Sequence, residues 1–325
     1  MKKQLIFVFT ILLSLATVFK SYSASATSNT NPPDEFETLV NYIEASSNFL
    51  KSELPIIMAS EVKDNMKNPK YHIIDIRNDS WFEYGHIKGA VNVKAETLLS
   101  YFQGKIKPTD FDKIVLVCYS GQSAAFYSGL LRLAGYSNVY SMKWGMSSWR
   151  EDFANNAWNK NIANDYASKI ESIEVEKKVK NTHPILKTGK TEGKDILMAR
   201  LAEVFAKPYN ELIVKPTEIF EKPSNFYIIN YWDQNKCQGH LTGAIHYTPE
   251  ASLANDLMTL PSNEKIVVYE ATGQKAAYIV AYLNVLGYNA GNLAYGENSF
   301  MNSLLKENGM DAFTKKEINM YPVIE

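Results

Sequence analysis

Two kinds of apolar spacing alternate along the chain. Residues 32–49, PPDEFETLVNYIEASSNF, carry apolar side chains at Phe36, Leu39, Val40 and Ile43 with acids in the first turn, the pattern of one amphipathic helical face. Short apolar runs rich in β-branched residues follow, YHIIDIR at 71–77 and KIVLVC at 113–118, and both read as strands. SAAFYSGLLRLAGY at 123–136 returns to helical periodicity and stops at Gly135, and NVYSMKWG at 138–145 reads as a further strand and turn. Strands alternating with helices predict helices packed on a parallel sheet.

The same order then recurs. FYIIN (226–230) matches YHIID, GHLTGAIH (239–246) matches GHIKGAVN (85–92), and KIVVYEATGQKAA (265–277) matches KIVLVCYSGQSAA (113–125). Further on, LNVLGYNAGNLAYGENSF (283–300) follows LRLAGYSNVYSMKWGMSSW, placing Phe300 at the position of Trp149 and Tyr295 at that of Trp144. The pairs His86 and His240, Gly121 and Gly273, and Gly145 and Gly296 keep nearly constant separations, so the chain is a duplication. Between the repeats, KIESIEVEKKVKNTHPILKTGKTEGK mixes lysine and glutamate as a solvated, partly helical linker does. The expected organisation is a leader at 1–26, an N-terminal helical segment at 27–50, repeats at 51–155 and 205–318, a linker at 156–204 and a tail at 319–325. Each repeat is expected to be an α/β domain, a small and mostly parallel sheet with helices on both faces.

Composition narrows the setting. Lys2 and Lys3, the apolar stretch LIFVFTILLSLATVF and the small residues ASA at 24–26 read as a secretory signal peptide, and the apolar run is too short and too close to that site for a membrane span. Its removal also removes Lys2, Lys3 and Lys20, moving the formal charge from −1 to −4. In a mildly acidic mature chain no basic surplus supports a nucleic-acid or anionic-membrane partner. Export to periplasm or medium makes each thiol informative, because an exposed cysteine there is oxidised unless buried, paired or kept for chemistry. The chain has two, Cys118 and Cys237, which is no disulfide framework. Five histidines without ligand spacing, no phosphate-binding glycine loop and no recognisable triad point to no metal and no other cofactor.

Candidate chemistry gathers at VCYSGQSA, residues 117–124. With a strand ending at Val117 and a helix starting near Ser123, the backbone N–H groups of Tyr119, Ser120, Gly121, Gln122 and Ser123 can turn inward around one point, and Gly121 permits the close turn. Such a nest favours a thiolate or persulfide anion on Cys118. A cysteine after an apolar strand is also an ordinary small core residue, and the loop residues decide between the two readings.

DIRNDSWFEYGHIKGAVNV, VCYSGQSA and MKWGMSSW together resemble the signature blocks of a rhodanese domain, and residues 205–318 resemble a second, degenerate one. The resemblance implies a sulfurtransferase in which Cys118 takes sulfane sulfur from a small donor or a protein persulfide, holds it as a persulfide and passes it to a thiol or a cyanide-like acceptor. It also implies that Asp75 and Arg77 form a structural pair and that His86 orders its loop. Many active members close the cysteine loop with arginine, and here that position is Ser123. A cation-free loop suits doubly charged oxyanions poorly, since they profit from a guanidinium fork, and Lys143 or Lys275 are the candidate substitutes. In the second repeat Glu270 stands at the cysteine position and Asn230 at that of Asp75, so this repeat is expected to be silent, to cover the first repeat's loop, and to point Glu270 into its own cradle. Cys237 precedes GHLTGA in a loop that opens at the same end of its sheet, which leaves a resolving thiol or a disulfide with Cys118 open. A binding scaffold on the same fold, with a protein partner, and a thiol redox protein are the competing readings.

Overall fold

The computed structural model describes residues 34–47, 49–50, 53–172, 175–177, 182–232, 239–248 and 255–325. The expected leader at 1–26 and Cys237 lie outside them. None of the described helices is long and apolar enough to cross a membrane.

Each repeat forms a five-stranded, all-parallel sheet. In the first, β1 (Ile56–Ile57), β2 (Tyr71–Asp75), β3 (Val91–Asn92), β4 (Lys113–Val117) and β5 (Val139–Met142) lie in the order β1-β5-β4-β2-β3; in the second, β6 (Ile213–Val214), β7 (Phe226–Asn230), β8 (Ile245–His246), β9 (Lys265–Tyr269) and β10 (Ala290–Leu293) lie in the equivalent order β6-β10-β9-β7-β8. Among the helices, α1 (Glu35–Ser46) leads; α2 (Ala59–Asn65), α3 (Asp79–Tyr84), α4 (Leu98–Gly104), α5 (Gln122–Leu133), α6 (Glu151–Asn156) and α7 (Trp158–Asn161) follow; α8 (Gly193–Phe205), α9 (Pro216–Glu221), α10 (Gln274–Val285) and α11 (Asn298–Glu307) complete the set. The fold is therefore the expected pair of α/β domains.

The continuous apolar runs of β4 and β9 follow from burial on both faces, as parallel sheets require. Alternate residues serve different cores: Ile114 and Leu116 face one cluster and Val115 and Val117 another, while Ile266 and Val268 face the first cluster again and Val267 and Tyr269 a third. The shared cluster exists because α5 and α10 pack against each other, joining the inner faces of both sheets into one core. Helix α1, capped by Asp34, whose Oδ1 accepts the N–H of Phe36 at 2.9 Å, buries Phe36, Leu39 and Ile43 in that core.

Two departures from the sequence reading have simple causes. The charged linker ends in α8, which crosses the expected boundary at 204–205 and buries Ile196, Leu197, Leu201, Val204 and Phe205 against α1 and α10. Its apolar stripe is diluted by lysine and glutamate nearby, so composition concealed a packed helix. The C-terminal residues return to the first domain. Asn319 N–H donates to Ser148 (3.0 Å), Tyr321 N–H to the Trp149 carbonyl (2.8 Å), and the Trp149 indole to the Pro322 carbonyl (3.0 Å). Finally, Ile324 and His86 exchange two backbone hydrogen bonds of 2.9 Å.

Candidate active site

Cys118 leaves the carboxyl end of the central strand β4, where parallel α/β sheets present ligands. Four residues later the chain is already helical, so the loop must turn within Tyr119–Gly121. Gly121 makes the turn at φ 90° and becomes the N-cap of α5. This conformation aims its N–H at Cys118 Sγ, 3.1 Å away, and the N–H of Ala124 in the first turn of α5 adds a second contact at 3.4 Å. The thiol is 1% exposed. Of the residues expected to build the cradle, Gly121 touches Sγ; Ala124, one position beyond them, provides the other donor.

The remaining loop groups are tied outward. The Tyr119 carbonyl accepts Ser147 Oγ (3.0 Å), the Ser120 carbonyl accepts the Trp158 indole (3.0 Å), and the Gln122 amide donates to Ser120 Oγ (3.0 Å). Behind the loop, Trp144 (φ 63°) and Gly145 (φ 59°) form a wall. A Cβ on Gly145 would lie 2.5 Å from the Cys118 oxygen, 2.6 Å from Gly121 N and 2.8 Å from Ser120 N, so only glycine allows this approach. Within the loop only Tyr119 and Ser123 retain partial exposure.

Asp75 and Arg77 form a fully buried pair. Asp75 Oδ1 accepts from Arg77 N–H and Nε at 3.0 Å each, and Oδ2 accepts from Nη2 at 2.7 Å. Nη2 also reaches the Gly85 carbonyl at 2.7 Å, and the guanidinium lies over the Phe153 ring at 4.9 Å and the Tyr119 ring at 6.0 Å. The pair thus braces the 75–85 segment behind Tyr119. His86 stacks on Phe82 with ring centroids 3.9 Å apart, its Nδ1 3.0 Å from the Phe82 carbonyl, and it holds the C-terminal strand through its backbone.

The two lysines considered as substitutes for a loop arginine are engaged elsewhere. Lys143 pairs with Asp311 at 2.7 Å, and the Lys275 ammonium lies 5.5 Å from the centre of the Tyr231 ring. Burial pushes the phenol of Tyr119 up and that of Tyr295, from the second domain and within the field of Cys118, up to about 12; both are neutral hydroxyls near neutral pH.

The second repeat carries the same cradle with a different occupant. Glu270 is buried, and its carboxylate turns inward to accept the N–H groups of Thr272 (2.7 Å), Lys275 (3.1 Å) and Ala276 (3.4 Å) and the Thr272 hydroxyl (3.1 Å). The nest therefore holds an inward-turned carboxyl group where the first domain holds sulfur. Burial raises the Glu270 carboxyl above its usual range despite these bonds. Glu297, equally buried, is raised well above it by burial; its Oε1 accepts the Trp232 indole at 3.0 Å, and Oε2 has no hydrogen-bond partner among the described residues. Asn230, in place of Asp75, meets His240 Nδ1 at 2.9 Å.

Two parallel sheets, each presenting a glycine-turned anion nest at the carboxyl end of its central strand, define a class of protein that sequence comparison also finds. A rhodanese-like domain model matches residues 58–152 and again 218–303, more than half of the chain, and the chain belongs to this family. The thiosulfate sulfurtransferase GlpE of Shewanella oneidensis is 40% identical over 80 residues, spanning 24% of this chain and 75% of that protein; the Tolumonas auensis protein of the same name is 33% identical over 82 residues, 25% and 74% of the two chains. Among solved structures, a rhodanese-related protein from Thermoplasma volcanium aligns with 30% of this chain and 90% of its own, at 23% identity and a TM-score of 0.26.

Proposed function

We propose that the protein is an exported sulfurtransferase that carries sulfane sulfur on Cys118. The observation that carries this reading is the placement of Sγ, which accepts N–H groups from Gly121 and Ala124 at the start of a twelve-residue helix. Those donors favour an anion at the sulfur, first the thiolate and then the terminal sulfur of a persulfide. In the loading step the thiolate attacks the outer sulfur of a donor: with thiosulfate, a Cys118 S–S bond forms, the donor S–S bond breaks and sulfite leaves with the bonding pair. In the second step an acceptor thiolate attacks the terminal sulfur, and Cys118 departs as thiolate. Neither step needs a base once the thiols are ionised.

The absence of a free cation among the described residues flanking the loop supports donors of lower charge density, a polysulfide or a protein persulfide, over thiosulfate. Export rests on the leader-like residues 1–26. The second domain, with Glu270 in its nest, transfers no sulfur and serves as a wall for the first.

The test is the intact mass of the mature protein before and after incubation with thiosulfate and with polysulfide, beside Cys118→Ser. The expected result is a gain of one sulfur from polysulfide, absent in the variant and reversed by cyanide. A folded protein with free Cys118 and no gain from either donor overturns the reading in favour of a binding scaffold.

A further inference from the structure

The side chain that joins the two walls of the Cys118 nest belongs to the other domain. Gln274, at the first position of α10, is completely buried. Its Oε1 accepts the N–H of Trp144 at 2.8 Å, and its Nε2 donates to the carbonyls of Gly121 at 3.3 Å and Met142 at 3.4 Å. One amide therefore bridges the loop that carries the Sγ donor to the segment whose glycine closes its back. The fit is close, for a Cβ on Gly121 would stand 2.5 Å from the Gln274 amide. The arrangement is reciprocal: Gln122, at the first position of α5, enters the second nest, where its Oε1 accepts the N–H of Tyr295 at 2.8 Å and the Asn292 amide at 3.0 Å.

We infer that Gln274 is a positioning residue for Cys118, holding the start of α5, whose Gly121 and Ala124 N–H groups point at the sulfur, against the Met142–Trp144 segment. This rests on the sulfur-carrier reading of Cys118. Glycine resists rotation about φ weakly, and a rotation at Gly121 would swing α5, whose Ala125 N–H donates to the Gly121 carbonyl at 2.9 Å, relative to the N–H that faces the sulfur. Gln274 opposes that rotation by tying the same carbonyl to the Trp144 N–H, and so the start of α5 to the wall against which Gly121 packs. Without it, the buried Trp144 N–H loses its acceptor and the start of α5 is no longer tied to the Met142–Trp144 segment, so the Gly121 and Ala124 N–H groups can shift relative to the sulfur. The second domain thereby contributes to sulfur chemistry although its own nest has no thiol.

The experiment compares the full-length protein with Gln274→Met, which keeps length and loses all three bonds, and with Gln274→Glu, which keeps the acceptor for Trp144 and replaces the donor with an oxygen. Alkylation of Cys118 by iodoacetamide is followed between about pH 5 and about pH 10, quantified on the Cys118 peptide so that Cys237 does not contribute. The expected result is a profile displaced to higher pH by roughly half a unit to one unit in Gln274→Met, the effect of one hydrogen bond, and by more in Gln274→Glu. A residue that merely glued the domains would lower the melting temperature and leave the profile in place. Folded variants with the wild-type profile overturn the inference, and Gln274→Glu keeps the test open should the methionine variant not fold. A wild-type protein that alkylates normally but takes sulfur from neither donor refutes the carrier reading alone; one that loads sulfur while Gln274→Met keeps its profile refutes the positioning role alone.

Discussion

Replacing Gly145 with alanine tests whether the nest is as tightly closed as the geometry requires. Two costs combine. The residue sits at φ 59°, a conformation that costs an L-residue roughly 1–2 kcal/mol. Its new methyl would also stand 2.5–2.8 Å from three backbone atoms of residues 118–121, atoms that cannot swing aside as a flexible side chain can. Relieving such overpacking typically costs about 1–3 kcal/mol. Gly135→Ala supplies the comparison: it has φ 99° and nothing within 4 Å of the added methyl, so it bears the conformational cost alone. For a chain of this size each kcal/mol lowers the melting temperature by roughly 2 °C, giving about 4–10 °C for Gly145→Ala and about 2–4 °C for Gly135→Ala. Thermal unfolding followed by circular dichroism measures both, and sulfur loading from polysulfide should fall in Gly145→Ala because the methyl pushes Cys118 from Gly121, while Gly135→Ala loads normally. Equal melting temperatures in the two variants would refute the claim that the backbone closes on Gly145.

Other outcomes follow from the charges around the two nests. Ser123→Arg places a guanidinium in the first turn of α5, at a half-buried position beside the nest, and should speed loading from thiosulfate by about ten-fold or more, with a smaller gain from polysulfide; stopped-flow release of sulfite measures it, and an unchanged rate would count against the role assigned to the missing cation. Glu297 has its carboxyl raised in the folded protein, so the native state binds a proton that the unfolded chain releases near the ordinary glutamate range. Its contribution to stability is complete below that range and is lost as pH rises toward the raised value. Glu297→Gln should therefore be more stable than wild type near neutral pH, the difference shrinking as pH falls to about 4.5; melting temperatures across that window would contradict this if the two curves ran parallel.

Much of this architecture was legible because burial leaves a periodic trace. KIVLV, FYIIN and KIVVY are buried in all but their first residue and YHIID in its last three, so each reads as a short run dominated by apolar residues, and duplication doubled each signal. Cys118 and the glycine after it were readable for a local reason, since strand, turn and helix are contiguous there. Glu270 was readable by alignment of the repeats. What escaped was assembled across long separations. Gln274 lies in a segment that looks like a copy of Gln122's own loop, and only the packing of α10 on α5 shows that each glutamine serves the opposite nest. The linker was expected to be partly helical, but the burial of one side of α8 was hidden by the lysine- and glutamate-rich segment that runs into it.

The return of the C-terminal residues to the first domain has a consequence for how the chain is made. Domains generally fold as they leave the ribosome, N-terminal first, at about 5–20 residues per second. By that clock His86 waits roughly 10 to 50 s for Ile324 and Trp149 roughly 10 to 35 s for Pro322, while Gln274 also arrives well after the loop it clamps. Until Gln274 arrives the cysteine loop has its own wall at Trp144 and Gly145 but not the clamp that ties the two together. The loop therefore gains its final restraint only when α10 has packed on α5, and the first domain gains its contacts with residues 319–324 later still.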